Sequence, residues 1–171
     1  MDKPEATQHL CQWLADFERA LTRCDIPAAV ALFADESYWR DLVSFTWNIA
    51  TLEGKDAIAA MLGTILSRVK PCRWAIEGEA HLADGIIEAW LTFETAVARG
   101  KGRVRLKGGK CWTLLTAMTE LKGFEERQGE SREITARQIK PEIRAAFQQP
   151  ARRFSLAPRP IPPCPPPTMR Q

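Results

Sequence analysis

No apolar run in the 171 residues approaches the roughly 18 that a membrane-crossing helix needs, so a spanning segment is excluded. The opening stretch, MDKPEATQHL, lacks the charged, apolar, small-residue order of a secretory leader, and a cytoplasmic protein is expected. Histidine is scarce, at His9 and His81, and the five cysteines (Cys11, Cys24, Cys72, Cys111 and Cys164) lie far apart with no CxxC pair. Neither histidine has a ligand at metal spacing, so reduced thiols are expected and a structural zinc site is not. The glycine-rich GxGxxG turn that would hold a dinucleotide pyrophosphate is missing as well. No internal repeat is present.

What the chain does contain is unevenly spread. It has 24 Lys and Arg against 21 Asp and Glu. Residues 127–171 hold nine of the basic and three of the acidic side chains, a net of +6, which leaves −3 for residues 1–126. All six tryptophans fall in the first part, and nine of the twelve prolines lie between Pro141 and Pro167. The positive charge thus belongs to the tail and gives no argument for a nucleic-acid partner. The expected organisation is one folded domain over residues 1–126, long enough for a real core, and a basic, proline-rich, disordered tail over 127–171. Within the tail, residues 130–147 carry a weak helical pattern that Pro141 interrupts, and RPIPPCPPPTMRQ is expected to be extended or disordered.

Periodicity divides the first part into elements. Leu10, Trp13, Leu14, Phe17 and Leu21 make one helical stripe. Asp25 reads as an N-cap with Pro27 in the first turn, opening a short helix lined by Ile26, Val30 and Phe33. The period then becomes two, with Trp39, Asp41 and Val43 on one face and Tyr38, Arg40 and Leu42 on the other. A short strand around Trp47–Leu52 leads to a third helix whose buried side is Ile58, Met61, Leu62, Ile65 and Val69, ended by Pro71. From Cys72 to about Phe124 the chain reads as antiparallel strands. Asp84-Gly85 marks a hairpin, Arg99-Gly-Lys-Gly102 a further turn, and Gly108-Gly109 a bulge. Ile87, Ala89, Leu91, Phe93, Thr95 and Val97 are expected to face the core. The expected fold is α+β, a cone-like curved antiparallel sheet packed on three N-terminal helices.

The stretch RALTRCDIPAAVALFADESYWRDLV (Arg19–Val43) resembles the opening of the SnoaL-like and ketosteroid-isomerase-like families, within the nuclear-transport-factor-two-like superfamily. The shared features are the first helix, the Asp25 cap, the ALFAD helix end and a strand carrying an acidic residue. The resemblance covers about residues 6–125 and implies a cone around an apolar pocket, commonly dimeric. YWRDLVSFTWNIATLEGKDAI and CWTLLTAMTELKGFEE resemble more closely the N-terminal domain of flavin-containing monooxygenases. That resemblance implies a domain that binds a small apolar molecule. FAD and NADP would be bound only by a second half that this chain lacks, so no cofactor is expected here. The chain then reads as a truncated or frame-shifted member of that group.

The isomerase pattern implies a general base at Asp41, where an apolar surrounding would raise a carboxyl toward neutral pH. It also needs oxyanion donors. Phe17 stands at the matching helix position without a hydroxyl, and the Trp112–Leu114 region offers no carboxyl group. Losing one such donor costs about 10²–10³ in rate, which argues against steroid-type isomerisation. Asp41 is alternatively a strand-end residue paired with Arg40 or Asn48. Phe17, Trp39, Trp47, Asn48 and Trp112 are the candidate ligand contacts: flat pocket walls with one polar handle, or else packing residues. His81 reads as a surface residue beside a turn. Arg99, Lys101, Arg103, Arg105 and Lys107 fall on one strand face, and with a turn at Gly100-Lys101 Lys107 would oppose Glu94 across an outer face. No aromatic residue alternates with these cations to stack bases, so no nucleic acid is expected. Trp90 and Trp112 are candidate homodimer contacts. Three functions follow: an apolar-ligand domain, a lyase, isomerase or hydrolase using Asp41, and a dimerisation module.

Overall fold

The helical stripe of Leu10, Trp13, Leu14, Phe17 and Leu21 becomes the buried side of α1 (Lys3–Thr22). The structure, a computed structural model, describes residues 3–125; the expectations for the tail and Cys164 lie outside the described residues. Asp25 caps α2 (Ile26–Ala31), its carboxylate accepting the Ala28 N–H at 3.0 Å. The ALFAD segment does not carry this helix to Asp35, because β1 (Phe33–Leu42) already begins at Phe33. The carbonyl of Leu32 is the reason. It accepts the indole N–H of Trp13 at 3.1 Å and the backbone N–H of Cys111 at 2.9 Å, and so is tied to α1 and to a distant strand.

The chain continues as β2 (Ile49–Glu53), α3 (Gly54–Val69), β3 (Cys72–Ala83), β4 (Ile86–Glu94), β5 (Ala98–Lys107) and β6 (Lys110–Leu121). α3 buries Ile58, Met61, Leu62 and Val69 as read, with Leu66 buried in addition and Ile65 only half-buried, and ends at Lys70 in the left-handed region before Pro71. The six strands form one curved sheet in the order β2-β1-β6-β5-β4-β3. It is mixed, which corrects the antiparallel expectation: β1 and β6 run parallel, with Trp39 beside Leu114 and Asp41 beside Thr116. Short turns join β3 to β6 in antiparallel succession, but β1 is separated from them by α3, and only such a crossover allows a parallel neighbour.

Three turns decide the register. Asp84 and Gly85 both have positive φ, as a two-residue hairpin turn requires. Gly108 and Gly109, at φ +57° and +76°, make the same kind of turn between β5 and β6 and are not a bulge. The bulge falls between Arg105 and Leu106, where Trp112 is the extra residue on β6. The turn between β4 and β5 lies at Thr95–Val97, so Glu94 opposes Arg99 and Lys107 opposes Ile86. Val97 is accordingly half exposed and not in the core.

Gly100 and Gly102 sit inside β5 because the neighbouring strands leave no room for a side chain. A Cβ on Gly100 would stand 2.4 Å from the Phe93 ring and 2.8 Å from the Ala117 carbonyl oxygen. At the sheet edge, α1 supplies the missing partners of β3: Glu18 accepts from the Trp74 N–H and Thr7 from the Ala80 N–H. α1 packs on β3 and α3 on β1, and the core lies between these helices and the inner sheet face.

Candidate functional site

Alternation along β1 sends Trp39 and Asp41 to the inner face, and both are fully buried. Parallel pairing with β6 then delivers Thr116 to Asp41. The Thr116 hydroxyl donates to Asp41 Oδ1 at 2.8 Å and accepts the Trp39 indole N–H at 2.9 Å. The other Asp41 donors come from the following loop. The Phe45 N–H reaches both carboxylate oxygens at 3.0 and 3.2 Å, and the Thr46 N–H and hydroxyl each reach Oδ2 at 2.8 Å. Four donors therefore hold a carboxylate that has about four lone-pair sites. The partners are not Arg40 or Asn48. Arg40 donates to Thr51 on the outer face, and Asn48 closes the loop by accepting the Val43 N–H on its carbonyl.

The loop so held is strained. Val43 at φ +58° and Trp47 at φ +56° occupy the left-handed region without being glycine or asparagine. Each such residue costs on the order of 1–3 kcal/mol and persists only where its surroundings over-determine it. Asp41 supplies that determination. Val43 also ends the strand, so it does not extend the Trp39–Asp41 face as its parity suggested.

Aromatic rings fill the inner face around this pair. Trp39 lies against Phe45 at 5.0 Å, Phe17 at 5.9 Å and Phe33 at 6.0 Å between ring centroids. Phe17 continues to Trp13 at 5.0 Å and Trp74 at 5.4 Å, and Trp74 stacks on Phe93 at 4.7 Å. Phe17 and Trp39 are thus brought together with Asp41 as members of a packed core. Phe45, Thr116, Trp74 and Phe93 join the set beyond the expected residues. Thr116 was recognisable only from strand parity beyond the Trp112 bulge, and Phe45 from no pattern in its loop.

The remaining candidates lie elsewhere. Trp112 sits at the bulge with the Lys107 ammonium 5.8 Å from its ring centroid. Trp90 is 49% exposed beneath the Arg103 guanidinium. His81 is exposed on β3 opposite Glu88. The five cations of β5 are all matched: Arg99 with Glu120 and Glu125, Lys101 with Glu77, Arg103 and Arg105 with Glu88, Lys107 with Trp112. Burial pushes the Glu88 carboxyl up, but hydrogen bonds and charge from Arg103 and Arg105 outweigh this and hold it below its ordinary value. Among the described residues no group of three or more His, Cys, Asp or Glu is placed to hold a metal ion. Burial raises the Cys111 thiol well above its ordinary value, so it is an inert core residue. No helix of the described residues is long and apolar enough to cross a membrane.

Residues 14–118 match the family model of the SnoaL-like domain. The chain belongs to that family. Solved structures agree on the fold of this SnoaL-like domain. A ketosteroid isomerase-like protein from Erwinia carotovora is 14% identical, with 68% of this chain and 98% of that one covered at a TM-score of 0.56. A domain of unknown function with a cystatin-like fold from Nostoc punctiforme is 13% identical, covering 63% and 74% at 0.53. An NTF2-like protein of unknown function from Pseudomonas putida is 17% identical, covering 67% and 87% at 0.51. No curated protein matches the sequence.

In this SnoaL-like domain the strained loop borders a groove of about 230 Å³, which runs between Phe45–Trp47, the last turns of α3 and the β4–β5 turn. Its apolar lining is Phe45, Trp47, Ile65, Val69 and Val97. Of the sequence candidates, the groove gathers Trp47 alone, with its indole 60% exposed.

Proposed function

We propose that this SnoaL-like domain binds a small apolar molecule at the groove beside Trp47, and that it is not catalytic by itself. One observation carries the reading. The carboxylate at the family's base position is occupied by four donors and walled in by Trp39 and Phe45, so its work is to hold the loop that presents Trp47. A general base needs a lone pair aimed at its substrate, and Asp41 has none to spare. The absence of a hydroxyl on Phe17 supports the same conclusion, since a developing oxyanion would find no donor there.

The proposal includes kinship with the front domain of flavin-containing monooxygenases, on the strength of WRDL followed by FTWNI. The proposal gives this domain no FAD or NADP to bind. It includes a cytoplasmic setting. It also includes a homodimer formed through the outer sheet face. There Leu42, Ile49, Leu115 and Ala117 make an apolar patch around Arg40, bordered by Lys101 and Arg103 of β5, and Trp90 is half exposed beyond Arg103. Light scattering at micromolar concentration is expected to give twice the chain mass, and a monomer overturns the dimer.

The ligand reading is tested by isothermal titration of the full chain with neutral one- and two-ring apolar compounds. Saturable binding that Trp47→Ala removes is expected, with no turnover of the compounds. Turnover that a cooperatively folded Asp41→Asn protein loses would instead establish a SnoaL-like enzyme with Asp41 as base.

A further inference from the structure

We infer that the molecule taken by the groove is a small planar carboxylate, an aromatic acid of one or two rings, held with its ring on Trp47 and its carboxylate on Arg68. This rests on the reading that the groove is the ligand site and adds the ligand's charge and shape. Three features of the groove lead to it.

The first is an unmatched cation. Arg68, in the last turn of α3, lines the groove. Arg73 and Arg99, which line a shallow cleft over β4 and β5, are each neutralised by glutamates. Arg68 makes no ion pair or hydrogen bond with any described residue, and no carboxylate lines its groove among them. A planar guanidinium with a free fork matches a carboxylate through two parallel N–H···O bonds, which a neutral apolar ligand does not use.

The second is the indole. Trp47 is a large aromatic left 60% exposed on a backbone at φ +56°, a conformation its side chain disfavours. The loop carrying it is fixed from behind by the Asp41 carboxylate, through the N–H groups of Phe45 and Thr46. A strained, pre-set aromatic face beside an unpaired cation suits a flat anion, because the ordering is complete before the ligand arrives. Val97, 49% exposed, and Ile65 supply the opposite apolar wall.

The third is size. The groove holds about 230 Å³, below the roughly 300–1,000 Å³ of sites for drug-sized molecules. That volume suits a benzoate or a naphthoate and not a four-ring skeleton.

The experiment is calorimetric titration of the full chain with 2-naphthoate and with its neutral amide, at low and at high salt. The wild type is expected to bind the carboxylate about tenfold more tightly than the amide, as a charge-assisted hydrogen-bonded pair allows. Salt should weaken only the carboxylate. Arg68→Gln is expected to erase the difference while leaving amide binding intact, and Arg68→Lys to restore part of it. Trp47→Ala is expected to weaken both ligands together. Equal binding of acid and amide by the wild type overturns the anionic ligand and leaves the apolar groove standing. Absence of binding by both overturns the groove itself, and the inference with it.

Discussion

Asp41 and Thr116 are 75 residues apart in sequence and 2.8 Å apart in space, joined by a buried hydrogen bond across a parallel strand pair. The same hydroxyl accepts the Trp39 indole N–H, so one threonine links two of the inward polar groups of β1. Thr116→Val is expected to destabilise the protein by about 1–3 kcal/mol, since it leaves a buried indole donor without an acceptor and removes one donor from a buried carboxylate. Thr116→Ser should recover most of the loss. The midpoint of urea unfolding measures both, and equal midpoints for wild type and valine variant would deny the relay its structural role.

Asp41→Ala removes the acceptor that serves Phe45, Thr46 and Thr116 at once. The expected cost is about 2–4 kcal/mol, toward the large end for a single substitution, because several buried donors lose their partner together. Near-neutral stability together with lost turnover of some substrate would be the signature of a catalytic carboxylate instead.

The outer face makes its own prediction about pH. Glu88 receives Arg103 at 2.6 Å and Arg105 at 2.9 Å, and its folded carboxyl lies below the ordinary value of 4.5. The unfolded chain therefore takes up this proton first as pH falls. The stabilisation is fully present above about 4.5 and is lost as pH drops through the depressed folded value. Because the arginines are 36% and 40% exposed, solvent screening keeps the effect small. Glu88→Gln should flatten the stability profile as pH falls below the ordinary value of 4.5 in acid titrations followed by circular dichroism. A steeper profile for the variant would reverse the sign of the coupling.

Two glycine substitutions should move stability in opposite directions. In Gly100→Ala the new methyl meets the Phe93 ring at 2.4 Å and the Ala117 carbonyl at 2.8 Å, so β5 must separate from its neighbours. A loss of about 1–3 kcal/mol or more is expected from such overpacking. In Gly63→Ala the methyl meets only Ile26 Cδ1 at an ordinary 3.6 Å, inside α3. There alanine should add about 0.5–1 kcal/mol by its helix propensity and lower unfolded-state entropy. Thermal unfolding of the pair decides it.

Much of the fold was legible because local patterns and global pairing agree. The α1 stripe, the Asp25 cap, the Pro71 stop and the Asp84-Gly85 turn are all written within a few residues. Non-local features were not. Alternation placed Asp41 and Trp39 on one face, but no short-range signal pairs β1 with β6 or puts Thr116 opposite Asp41. Gly100 and Gly102 look like turn residues locally, and only the crowding from Phe93 and Leu115 shows them to be strand residues. The strained loop was hidden for the same reason. Val43 and Trp47 are poor left-handed formers, and their conformation is imposed by a carboxylate whose other partner comes from β6.

That imposition yields the last prediction. Replacing a tryptophan commonly costs several kcal/mol, about 3–5 when it is buried in a core. Trp47 is 60% exposed and strained at φ +56°, so its contribution to folding should be near zero. Trp47→Gly relieves the left-handed strain, at the cost of greater unfolded-state freedom and the loss of the minor part of the ring's surface that is covered. Stability within about 0.5 kcal/mol of the parent is expected, while binding at the groove is lost. Denaturant unfolding and ligand titration on the same preparation separate the two effects. A large stability loss would make Trp47 an ordinary packing residue, and the strain at its backbone would no longer be tied to the groove.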